Sequence, residues 1–228
     1  MLNHRLLFRT ARKLSRGGFT LVELLVVIGI IAILAGVALG PITSGIEKAK
    51  ESSGMQYARS INLLCFQYST DNNEVYPVGA IGSGIGTSEG VAIQLLQNKY
   101  ANDPTIFALL SNKYTGSNPA FSDFSAANIS WDFTGVQGSP NTTGVTSASS
   151  DLLPVVFCTG ETVTYTPGTQ FNLTLTGNGP FAKNGIAVAY KGNSATFIKA
   201  TLSGSGAVVN SFIASAFNDT TTYIQIKP

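Results

Sequence analysis

The chain is 228 residues long, 44% hydrophobic and only 11% charged, with a formal net charge of +2. Five of its 14 Lys and Arg fall within the first 18 residues and none of its 12 Asp and Glu do, so the remainder carries nine cations against 12 acids. Past that leader Arg59 is the sole arginine and no histidine remains, leaving little material for clamping nucleic-acid phosphates or for a histidine base or metal ligand.

The leader holds Arg5, Arg9, Arg12, Lys13 and Arg16 and ends at Gly17-Gly18. Over 19–38 the only ionisable residue is Glu23. At about 1.5 Å per residue a helical run of this length crosses a bilayer. Its basic flank predicts a cytoplasmic leader with everything after the span outside. A plain anchor, or a secretory signal cut near Ala38, accounts for that much. Neither accounts for Glu23, because an acid within a span is unfavourable and marks function.

The ordered residues Gly18-Phe19-Thr20-Leu21-Val22-Glu23, followed by LLVVIGIIAILAGVAL, resemble the class III signal of type IV prepilins and type II secretion pseudopilins. The resemblance implies that a prepilin peptidase cuts after Gly18 and methylates the new terminus, Phe19. It also implies that Glu23 acts in assembly. Cleavage frees an amine at Phe19, and a neighbouring subunit's Glu23 can neutralise it inside an apolar filament, where paired charges are tolerated and single ones are not. The further implications are a structural subunit without enzymatic activity or cofactor, most like a major pseudopilin. It would sit in membrane lipid before assembly, as a single-pass bacterial inner-membrane protein with its C-terminal part periplasmic. An inner-membrane assembly platform would then stack it with its own copies and other pseudopilins, and the filament would move secreted proteins. A type IV pilin serving adhesion, motility or DNA uptake is a second reading, and a membrane-tethered surface binding module a third. No specific nucleic-acid partner is expected.

The organisation expected is a cleaved leader over 1–18, a membrane and filament-core helix over 19–41, a continuing amphipathic helix and turn over 42–76, and a β-rich globular domain over 77–228. Helix is predicted from 19 to about 69, with Ile42, Ile46 and Ala49, then Tyr57, Ile61, Leu64, Cys65 and Tyr68, at helical spacing. Pro41 is expected to kink or locally melt it. The helix should stop in YSTDNNEVYP, where Asp71-Asn72-Asn73 is turn chemistry and Pro77 blocks continuation. This stretch also resembles the Tyr…Asp-Asn…Tyr-Pro segment after the long helix of major pseudopilins. Tyr57, Tyr68 and Tyr76 read as core aromatics with edge-bonded hydroxyls.

A short amphipathic helix is predicted over 89–100 and a further helical or turn segment over 102–110. Beyond about residue 112 the chain turns rich in Gly, Ser, Thr and Asn. Strands are predicted at 129–134, 153–157, 162–166, 185–191, 195–202 and 221–226, with a hairpin turn at Lys191-Gly192-Asn193-Ser194. The polar stretch 135–150 reads as a surface loop. The plan is α+β: one long N-terminal helix packed on an antiparallel sheet, as in pilins.

Cys65 and Cys158 have two open readings, a disulfide tying helix to sheet or two small buried apolar residues. The acids Asp123, Asp132, Asp151, Glu161 and Asp219 show no spacing that converges on a catalytic pair. The region around Asp219 offers a single acid, so no metal site is assigned there. Trp131 reads as sheet core rather than a sugar platform.

Overall fold

Fifty-one consecutive residues, Leu21–Asp71, form helix α1 in the computed structural model, which describes residues 18–79, 86–109, 125–138, 141–166, 169–204, 206–213 and 221–228. The helix passes through Pro41 unbroken, so the expected local melting does not occur. Around the proline, Thr43 Oγ1 donates to the Gly40 and Leu39 carbonyls (2.8 and 3.2 Å) and Ser44 Oγ to Gly40 (3.2 Å). These side chains partner carbonyls beside the site where proline removes a backbone donor.

The chain divides into two compact units, Met1–Ile46 and Glu47–Pro228. In the first, every described residue is exposed, including the whole apolar run from Leu21 to Ile46. This part of α1 is long and apolar enough to cross a membrane by length and composition.

In the second unit α1 buries Gly54, Ala58, Ile61, Cys65 and Ser69, a stripe at three- and four-residue spacing. The stripe lies on strand β5 (Gly185–Tyr190): Gly54 faces Ala187, and Asn62 Nδ2 donates to the Tyr190 carbonyl at 3.0 Å. The helix ends with Asn73 and Glu74 in the left-handed region, and the Glu74 N–H reaches back to the Ser69 carbonyl at 2.8 Å. Helix α2, Ser88–Gln97, is capped by Thr87 Oγ1, which accepts from the Gly90 N–H, and buries Val91, Ala92, Leu95 and Leu96. A 3-10 turn, Pro104–Phe107, follows, capped by Asp103.

The larger sheet joins β1 (Asp132–Val136), β2 (Thr143–Gly144), β3 (Pro154–Phe157), β5, β6 (Ala195–Lys199) and β9 (Tyr223–Ile226), all paired antiparallel. Phe133 pairs with both Val156 and Ile226, and Gly135 with both Gly144 and Ile224. Strand β9 therefore takes one edge of β1, while β3 and β2 divide the other. A smaller antiparallel sheet runs β4 (Phe171–Leu175), β8 (Gly206–Ile213), β7 (Thr201–Ser203). One apolar core draws on both sheets, α1 and α2, with Trp131, Phe107, Phe133, Phe157 and Phe212 its largest fully buried side chains. The architecture is α+β, a long N-terminal apolar helix packed on antiparallel sheets.

The expected hairpin is present: the Tyr190 N–H donates to the Ser194 carbonyl, and Asn193 supplies the positive φ of the turn. Three expectations fail. Residues 162–166 alternate as a strand should, with Val163 buried and its threonine neighbours exposed, yet they join no ladder. The Val163 N–H donates instead to the Gln225 side chain at 2.8 Å. The run 195–202 is two strands in different sheets, split at Ala200, whose N–H donates to the Asn184 carbonyl. The stretch 135–150 is less loop-like than its composition: it contains β2, Val145 is fully buried, and Thr146 bridges to Val75. Strands β4 and β8 had no sequence counterpart.

Candidate functional site

The site begins where α1 begins. Gly18 and Phe19 precede the helix without regular structure, and both are exposed; nothing lies within 4 Å of where a side chain at Gly18 would start. Thr20 is the helix cap: its carbonyl accepts the first helical bond, from the Leu24 N–H at 3.2 Å.

Glu23 sits three residues on and bonds Thr20 in both directions. The Thr20 N–H and hydroxyl donate to Glu23 Oε2 (2.8 and 2.9 Å), and the Glu23 N–H donates to Thr20 Oγ1 (3.2 Å). This is a capping box, which satisfies backbone donors that a helix start leaves open. It directs the carboxylate toward the N-terminal end of α1, the end at which a cut after Gly18 would leave an amine. Thr-x-x-Glu ahead of an apolar run is the sequence signature of this partnership.

Residues 13–39 match the model of the prokaryotic N-terminal methylation motif. The chain carries a prepilin-type cleavage and methylation signal, the signal of type IV pilins and pseudopilins. That motif implies processing by a prepilin peptidase and filament assembly in general terms. Together with the exposed apolar helix it fits a single-pass, membrane-anchored pilin. No curated protein and no solved structure matches the chain.

The remaining residues singled out from the sequence do not join this site. Cys65 and Cys158 are both fully buried free thiols rather than a bridge. Cys65 lies on the packed stripe of α1, and the Cys158 thiol donates to the Ala187 carbonyl at 3.7 Å. Burial raises the pKa of both. Trp131 is fully buried, its indole N–H donating to the Ile106 carbonyl at 3.2 Å, so it is core.

Among the carboxylates, Asp123 and Asp219 lie outside the described residues, and Asp151 pairs with Lys191 at 2.9 Å. Asp132 and Glu161 meet through Thr159. Its N–H and hydroxyl donate to Asp132 Oδ2 (3.4 and 3.2 Å), and its hydroxyl accepts from the Glu161 N–H (2.9 Å). The Glu161 carboxylate itself turns to Thr176. The two acids thus brace one turn. Among the described residues no three acids, cysteines or histidines cluster as metal ligands.

Proposed function

We propose that the chain is a non-enzymatic structural subunit of a type II secretion pseudopilus. The observation that carries this reading is an exposed, non-helical Gly18–Phe19 bond directly ahead of an apolar helix whose first turn holds Glu23 and which buries none of its own surface through Ile46. Such a surface needs lipid or protein around it, and a bilayer followed by a filament core supplies both in turn. A prepilin peptidase cuts after Gly18 and methylates Phe19. The platform then stacks copies and other pseudopilins through the helices, a repeating non-closing contact that yields a filament able to move secreted proteins. The 77–228 domain is periplasmic before assembly. The Tyr68…Asp71-Asn72…Tyr76-Pro77 segment, which resembles that of major pseudopilins, favours a pseudopilus over a type IV pilus.

Co-expression with a prepilin peptidase tests the first step. Intact mass should show a chain starting at methylated Phe19; an uncut leader, or a cut near Ala38, refutes the proposal. Deletion in the native host should abolish secretion and spare twitching. The opposite pattern would assign a type IV pilus.

A further inference from the structure

Two buried polar groups outside the processing site behave differently. The Tyr76 hydroxyl, expected to be bonded at an edge, is sealed in the core with no partner among the described residues. Asp132 is sealed with partners, and they lead to one segment, residues 159–165.

This segment lies beside β9, the end strand of the six-stranded sheet, whose other edge pairs with β1. Among the described residues, every hydrogen bond between it and the strands has a side chain at one end. The Thr159 N–H and hydroxyl donate to the Asp132 carboxylate, and the Val163 N–H to Gln225 Oε1 (2.8 Å). Gln225 Nε2 donates to the Glu161 carbonyl (2.9 Å), and Lys227 Nζ, just past β9, to Thr162 Oγ1 (2.7 Å). The Tyr165 hydroxyl lies 2.6 Å from Thr134 Oγ1, and its ring 6.0 Å from that of Tyr223. A hollow of about 300 Å³ is lined by residues 162–165 on one side and by Tyr223, Ile224, Gln225 and Lys227 on the other. The only buried apolar side chain of the segment is Val163. A segment without a backbone ladder and with so little apolar burial belongs to the low-stability end of a fold. Gly160, at a φ of 66°, gives it a turn at its base that other residues adopt with strain.

We propose that residues 159–165 are a strap that opens from β1 and β9 while the rest of the fold stays intact, and that ionisation of Asp132 drives it open. Opening bares the outer edge of β9, and an uncovered sheet edge can pair with another strand. The proposal does not depend on the filament reading.

The groups around Asp132 fix the direction of the pH dependence. Lys227 is the cation facing it, and Cys158 and Tyr165 stay neutral because burial raises both. The Glu161 carboxylate turns away, accepting from the Thr176 N–H and hydroxyl (2.8 and 2.6 Å). With the strap closed, desolvation pushes the Asp132 carboxyl up to about 6; water admitted by opening returns it toward 3.8. The closed form thus binds the proton more tightly. Opening is least below pH 3.8, grows as the pH climbs to about 6 and levels off above.

Hydrogen exchange read by mass spectrometry on the full chain in detergent micelles tests this, with Asp132→Asn as reference to cancel the intrinsic pH dependence of exchange. Peptides covering Glu161 and Val163 should exchange faster than those covering Ala187 and Val188 on β5, which is paired on both edges. Between pH 4.5 and 7.5 the wild-type opening constant should rise about twentyfold relative to that of Asp132→Asn. Gln225→Ala, which removes the ties to Glu161 and Val163, should speed their exchange several-fold at both pH values and leave β5 unchanged. Exchange of the strap no faster than that of β5 overturns the proposal, because the segment then opens only with the whole fold. So does a ratio of wild type to Asp132→Asn that is the same at both pH values, or a Gln225→Ala variant whose strap exchanges at the wild-type rate.

Discussion

The ring of Phe181 stands where a side chain at Gly54 would begin: a Cβ there would lie 2.4 Å from Phe181 Cζ and 3.2 Å from Ala187 Cβ. The ring cannot easily yield, because it packs edge-on against Phe197 at a centroid distance of 5.0 Å and is itself buried. Glycine at this helix position, unfavourable by propensity, is what lets α1 approach β5. Gly54→Val should therefore lower the unfolding free energy of the 47–228 unit by about 2 kcal/mol, the usual scale of overpacking. Urea titration followed through the emission of Trp131, the single tryptophan, measures this. An unchanged midpoint would show that the helix can stand away from β5.

Glu23 has two separable properties, a negative charge and a capping-box hydrogen bond to Thr20. Glutamine retains the second and loses the first, since Glu and Gln both serve in the box. If pairing with the Phe19 amine of a neighbouring subunit drives assembly, Glu23→Gln and Glu23→Val should both be cut after Gly18 and both fail to form filaments. Filaments from Glu23→Gln at wild-type yield would assign the residue to capping. Mass spectrometry scores the cut, and sedimentation of sheared filaments scores assembly.

The N-terminal signal was legible because its chemistry is local: a basic leader, a glycine pair, one acid and an apolar run lie in order along the chain. The β5–β6 hairpin was legible for the same reason, as Gly192-Asn193 dictates a tight turn. Strand β8 was not. Its pairing with β4 moves from Phe171↔Ile213 to Leu173↔Val209, so extra residues bulge out around Ser211, which takes a positive φ. That bulge breaks the two-residue alternation on which strand reading rests. Residues 162–166 failed in the opposite way. They keep the alternation, but a glutamine side chain takes the place of a partner strand, and no local pattern announces a contact 62 positions away. The hollow beside Phe66 is likewise built from segments far apart in the chain, so only the fold brings Tyr76, Asp151 and Lys191 to one place.

Both cysteines are free thiols sealed in the core, and burial holds them protonated and unreactive. The native chain should resist iodoacetamide. Denaturation without reductant should then expose two alkylatable thiols, seen as two added carbamidomethyl groups in intact mass. No addition after denaturation would mean that Cys65 and Cys158 are bridged.

Asp132 is 5% exposed on β1, and desolvation pushes its carboxyl up to about 6 from 3.8; the hydrogen bonds of Thr159 and Gln225 and the charge of Lys227 offset only part of that rise. The folded chain therefore binds this proton more tightly than the unfolded chain does. Its contribution favours folding fully below pH 3.8 and fades as the pH rises through about 6, above which a buried, ionised carboxylate must be carried. Two pK units correspond to at most about 3 kcal/mol. Asp132→Asn keeps an acceptor for the Thr159 N–H without the charge. It should match the wild type in stability near pH 4 and exceed it by about 2 kcal/mol near pH 8. Comparing the two proteins at each pH cancels the titration of every other group. Parallel stability curves across that range would show that Asp132 is solvated or paired when ionised.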